Sequence, residues 1–170
     1  KVVEALEERG LFTGWGEDAS VGADTKTHSP RDPHGAIWVV AETDPTGTLR
    51  PVTLELLGAA DKLANTSGRA VAAVVMGHGV EVHITELAAN GADMVFTADH
   101  PVLARYSTAP YTQVLADAIQ ARKPFAVLLP ATVNGRDLAA RVAARLSLGL
   151  TGDCIDLAIN DLGQLVQYKP

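Results

Sequence analysis

Apolar residues reach this chain in two alternating forms. Short, mainly apolar runs fall at Ile37 to Ala41, Ala70 to Met76, Asp93 to Thr97 and Phe125 to Leu129. Each has strand length and no alternation with polar residues, as expected of a strand buried on both faces. Between them, apolar residues recur at three- and four-residue spacing, which predicts helices over Val52 to Leu63 and Val82 to Asn90. Pro51 sits where the first helix begins, and Asn90-Gly91 stops the second. Pro110 is expected to divide the next helical region into a short piece, Val102 to Tyr106, and a longer one, Tyr111 to Arg122. After the fourth run, Pro130 interrupts, Asn134-Gly135 supplies a turn, and Leu138, Val142, Ala143 and Leu146 form one helical stripe. Ile155 to Ile159 and Gln164 to Tyr168, joined by Asn160-Asp161-Leu162-Gly163, read as a hairpin. Strands alternating with helices predict an α/β fold: a mostly parallel sheet between two helical layers, a Rossmann-like three-layer sandwich.

The amino-terminal part follows other rules. Val2, Val3, Leu6 and Leu11 give a short amphipathic helix over residues 1–12, ended by Gly10. Residues 13–35 are rich in Gly, Asp, Ser, Thr and Pro, with Trp15 and Val21 the only large apolar side chains. That composition predicts a flexible linker and places the main domain at 36–170. The chain begins at Lys1 rather than Met, so further residues are expected before it.

Composition narrows the function. Hydrophobic residues make up 47% and charged residues 20%, which is globular. A net charge of -6 argues against a nucleic-acid partner, because phosphate affinity needs clustered Lys and Arg. One cysteine, Cys154, excludes an internal disulfide and a four-cysteine metal site. No apolar run approaches the ~20 residues of a membrane span.

Two loops carry candidate ligand chemistry. Met76-Gly77-His78-Gly79 ends the second strand, and Gly77 and Gly79 would let backbone approach a nucleotide; a strand-to-helix turn needs the same glycines. Thr132, Asn134, Gly135 and Arg136 lie between the fourth strand and its helix, at the carboxyl edge where α/β sheets bind ligands. Thr132 or Asn134 would cap the helix, and Gly135 is expected at positive φ. Arg136 would hold a phosphate or a carboxylate across an interface. His78-x-x-Glu81-x-His83 lacks the i, i+4 spacing of a helical metal pair, and surface histidines are expected. Asp99-His100-Pro101 could be an acid–base pair, but no Gly-x-Ser-x-Gly nucleophile motif accompanies it; a helix-start turn is preferred. Cys154 reads as a small apolar residue.

The segment Thr132-x-x-Gly-Arg-Asp-Leu-Ala-x-Arg-Val-Ala-Ala-Arg-Leu146, followed by Gly149-Leu-Thr-Gly-Asp-Cys-Ile-Asp156, resembles the alpha subunit of electron transfer flavoprotein. Ile37-Trp-Val-Val-Ala-Glu42, Gly91-Ala-Asp-Met-Val95, Tyr111-Thr-Gln-Val-Leu-Ala-Asp-Ala-Ile119 and Val166-Gln-Tyr-Lys-Pro170 resemble other blocks of that family, in its order. Val3-x-x-Leu6-x-x-x-Gly10-Leu11-Phe12 is similar to the last helix of the beta subunits, so a beta–alpha fusion and a simple extension both stay open. The resemblance implies an adenine-nucleotide-hydrolase-like fold and the amino-terminal domain of an alpha subunit, ending before its FAD domain. It implies FAD held mainly by that next domain, and AMP or a second FAD in the beta subunit. No cofactor, metal or catalytic residue is expected in this chain. Expected partners are the beta subunit and, through the complete protein, dehydrogenases and a quinone oxidoreductase or similar acceptor. The location would be the cytoplasm or, less favoured, the mitochondrial matrix. The Thr132 to Asp137 loop is then preferred as a structural or interface element. The alternative is a free-standing nucleotide-binding domain using Gly77, Gly79 and Thr132 to Arg136.

Overall fold

The computed structural model describes residues 31–170. The amino-terminal helix and most of the linker expected from composition lie outside them. The main sheet has four parallel strands: β1 (Asp32–Ala41), β2 (Arg69–Gly77), β3 (Met94–Asp99) and β4 (Ala126–Leu128), in the order β3-β2-β1-β4. The helices are α1 (Pro51–Ser67), α2 (Ile84–Ala89), α3 (Thr108–Arg122) and α4 (Val133–Leu146). A separate antiparallel hairpin, β5 (Asp156–Ile159) and β6 (Leu165–Tyr168), follows.

The apolar runs have their expected cause, burial on both faces. Along β1, Ala36, Trp38 and Val40 point into one cluster with Leu115, Ala118, Leu138 and Val142 of α3 and α4. Ile37, Val39 and Ala41 point into the other, against Leu57, Ala60 and Leu63 of α1 and Leu87 of α2. Trp38 is buried, and its ring lies 5.3 Å from that of Phe96, an aromatic pair inside the first layer. The hairpin adds Leu157, Ile159 and Leu165 to the α1 layer. Its turn is as expected: Asn160 Oδ1 accepts from the Leu162 and Gln164 N–H groups, and Gly163 has φ +72°.

The layering fixes where a ligand could reach the sheet. The chain steps from β1 to β2 to β3 with α1 and α2 on one face. It then returns past β1 to β4, and α3 and α4 cover the other face. The order reverses between β1 and β4, and the crevice outside their carboxyl ends is the switch point of the sheet.

Several boundaries differ from the sequence reading. β1 starts at Asp32, so Asp32 to Gly35 belong to the strand rather than to the linker. Pro110 does not divide a helix: it falls in the first turn of α3, where its missing N–H would lack a partner anyway. The short piece before it is a single tight turn, Pro101–Leu103. Asn134-Gly135 is not a turn but the first turn of α4, with Thr132 as N-cap.

Candidate functional site: a cleft at the sheet's switch point

A cleft of about 750 Å³ opens at the carboxyl ends of β1, β2 and β4. It brings together four of the residues expected from sequence, Gly77, Gly79, Asn134 and Gly135. Thr132 stands behind the rim as the α4 cap, its Oγ1 accepting from the Gly135 N–H at 3.0 Å. Arg136 is not part of the cleft. It turns away, donating to the Ala131 carbonyl at 3.2 Å and to Asp153 Oδ1 at 2.8 Å.

Gly135 is required, but not for its φ. The residue is helical, so the expected positive φ is wrong; a Cβ would stand 2.0 Å from the Pro130 carbonyl oxygen. The close approach of helix and loop, rather than a left-handed backbone, excludes a side chain here.

Asp99, at the end of β3, holds the Gly77–Gly79 loop. Its carboxylate accepts from the Gly79 and Val80 N–H groups at 3.0 and 2.8 Å, and lies 3.2 Å from His78 Nδ1. Partial burial pulls its pKa up, but these donors outweigh burial and hold it below its ordinary value. His100 points elsewhere, accepting from the Val102 N–H to start the next turn. Asp99 and His100 are thus two turn-fixing residues, as the sequence preferred, and not an acid–base pair.

Glu42 ties the other side together. One carboxylate oxygen accepts from Thr132 Oγ1 at 2.6 Å and the other lies 3.1 Å from Arg50 Nε, joining the starts of α1 and α4 to the end of β1. On the far wall, Tyr106 and Thr108 donate to Asp137 at 2.6 and 2.7 Å. Burial, then the Asp137 carboxylate, pushes the Tyr106 phenol up to about 12. Tyr111 donates to the Leu103 and Met76 carbonyls. These phenols fasten the β3–α3 loop over the cleft.

The same contacts limit what the two loops can hold. The N–H groups of Gly79 and Val80, the donors a nucleotide phosphate would use, already serve Asp99. The α4 terminus is capped by Thr132, with the Glu42 carboxylate beside it. Among the described residues, the Gly79 and Val80 amides are therefore not free for the pyrophosphate of a flavin or another dinucleotide.

Sequence reasoning missed His83. It was expected on the surface, but it is only 8% exposed and lines the cleft, because the turn Val80–His83 folds it under the rim. Among the described residues no three His, Cys, Asp or Glu side chains gather as a metal site, and no helix is long and apolar enough to cross a membrane.

Comparison with known proteins places this geometry. The family model described as Electron transfer flavoprotein domain matches residues 37–170. The chain belongs to the electron transfer flavoprotein family. Its relatives include the electron transfer flavoprotein subunit alpha of Thermoanaerobacterium thermosaccharolyticum, 43% identical over 134 residues, which cover 79% of this chain and 40% of that protein. Protein FixB of Rhizobium meliloti is 41% identical over 138 residues, 79% of this chain and 39% of that one. The LctC subunit of the NAD- and ferredoxin-dependent lactate dehydrogenase of Acetobacterium woodii is 44% identical over 124 residues, 73% of this chain and 30% of that one. The chain thus spans about two fifths, or less, of the length of these relatives. The resemblance noted from Ala36 onward is borne out, and with it the α/β fold.

Proposed function

We propose that this electron transfer flavoprotein domain is the docking and support part of an alpha subunit. It binds the beta subunit and carries a following domain that holds FAD. The complete protein accepts electrons from dehydrogenases and passes them to a quinone oxidoreductase or a similar acceptor in the bacterial cytoplasm. FAD supplies the redox chemistry, and the surrounding protein supplies position and environment. This chain carries out no redox step of its own.

The observation that carries the reading is the match over 37–170, joined to relatives of more than twice the matched length. The closed state of the two loops supports it further. A free-standing nucleotide domain would present the Gly77–Gly79 amides to its ligand, and here Asp99 takes those of Gly79 and Val80. Gly77, Gly79, Thr132, Asn134 and Gly135 are then architectural, and Arg136 fixes the segment that leads to the hairpin.

A fluorescence titration of the purified chain with FAD tests the assignment. No saturable binding is expected in the micromolar range, about -8 kcal/mol at 1 μM. Stoichiometric retention of yellow flavin by this chain alone would overturn it.

A further inference from the structure

We propose that the switch-point cleft is a binding site for a small organic oxyanion, a phosphate or carboxylate borne on an apolar body. The side chains of His83, Arg50 and Arg105 would hold the head group. The proposal does not depend on subunit docking and concerns a ligand other than FAD.

The cleft contains donors that the fold leaves unused. His83 is 8% exposed, lines the cavity, and makes no hydrogen bond among the described residues. Its ring nitrogens keep contact with the solvent of the cleft, so they stay available to a ligand. A neutral imidazole presents one donor and one acceptor, and a charged one presents two donors. Arg50 Nε is a second case. It lies 3.1 Å from Glu42 by distance, yet its geometry leaves the buried N–H without a hydrogen-bond acceptor. Arg105, on the β3–α3 loop at the rim, is exposed and has no ion pair among the described residues. Three basic side chains from three segments therefore face one space.

The acidic groups there are already engaged. Glu42 accepts from Thr132 and is ion-paired, without a hydrogen bond, to Arg50, and Asp99 is held by the Gly79–Val80 amides and His78. Asp44, on the outer lip, accepts from Thr46 and Thr48. The Arg50 Nε–H, the His83 ring and Arg105 are the groups left to meet an acceptor. Val40, Val80, Leu103 and Leu138 supply apolar wall for the body of the ligand. A volume of about 750 Å³ falls within the range of small-molecule sites. The head group would meet side chains rather than loop amides, so the closed loops do not prevent binding.

Phenyl phosphate, benzoate and inorganic phosphate are the probes, titrated into the full chain by calorimetry while the His83 ring resonances are followed by NMR. Phenyl phosphate or benzoate should bind saturably, with a dissociation constant of about 1 mM or below, and shift the His83 signals. Which of the two binds more tightly identifies the head group. Inorganic phosphate, lacking the body, should bind more weakly than phenyl phosphate. His83→Gln and the exposed, fold-neutral Arg105→Gln should each weaken binding roughly tenfold, the effect of losing a charge-assisted hydrogen bond. Loss in at least one variant that keeps the native fold supports the site. No saturable binding of either organic probe, or binding that survives both variants, overturns it.

Discussion

At Gly135 the space available is smaller than one methyl group. A Cβ would overlap the Pro130 carbonyl, which is backbone and cannot rotate away. Gly135→Ala should cost about 2 kcal/mol or more in urea denaturation, despite the better helix propensity of alanine. Gly58, in the middle of α1, is the control: its Cβ would meet nothing within 4 Å, so Gly58→Ala should stabilise by about 0.5–1 kcal/mol. Equal effects at the two sites would contradict the packing argument. Arg136, next along the chain, contrasts with Gly135. Its ion pair with Asp153 has side-chain exposures of 62% and 67%, and exposed pairs contribute little. Arg136→Ala should change stability by less than about 1 kcal/mol. A loss of several kcal/mol would make it a structural residue of the core. The sequence marked both residues as candidates in the loop. It could not show that Arg136 has a partner seventeen positions on, because the fold of the intervening chain decides that contact.

The elements meet through polar side chains at their ends. Asp99 closes β3 and at the same time fastens the loop after β2, twenty residues earlier. Its carboxyl is held below its ordinary value of 3.8 in the folded chain. It therefore contributes stability at pH above that value, and the contribution is lost as pH falls through the folded value. Asp99→Asn should be less stable than the native chain at neutral pH, and the gap should narrow below about pH 4. A gap independent of pH between 7 and 2, measured by urea unfolding, would contradict this linkage. Arg31 acts similarly at the opposite edge. It donates to Asp61 and Asn65 of α1 and to Asp93 just before β3, which fixes the start of β1. That anchor explains why the strand begins at Asp32, inside a stretch whose Pro and Gly content reads as linker. Strand existence and helix type were legible because apolar runs and periodicity are local. The start of β1 was not, because Arg31 beside it pairs with residues 30 and 62 positions away.

For the whole molecule, the two-layer burial of β1 was readable from its continuous apolar run, and the switch point follows once strand order is known. The cleft was half legible. Gly77, Gly79, Asn134 and Gly135 carry backbone signals that a sequence displays. His83 and Arg50 carry none, since a lone His and a lone Arg have meaning only when the fold turns them toward one cavity. The family blocks from Ile37 to Pro170 supplied what spacing could not, the kind of protein to which the domain belongs. As proposed above, this domain assembles with a beta subunit and does not itself hold the flavin. Sedimentation velocity on an equimolar mixture of this chain and its cognate beta subunit, monitored at both protein and flavin wavelengths with FAD present, tests both halves. A one-to-one complex is expected in the mixture, and in a parallel run without the beta subunit no FAD should travel with this chain. Two separately sedimenting species, or flavin travelling with this chain alone, would contradict it.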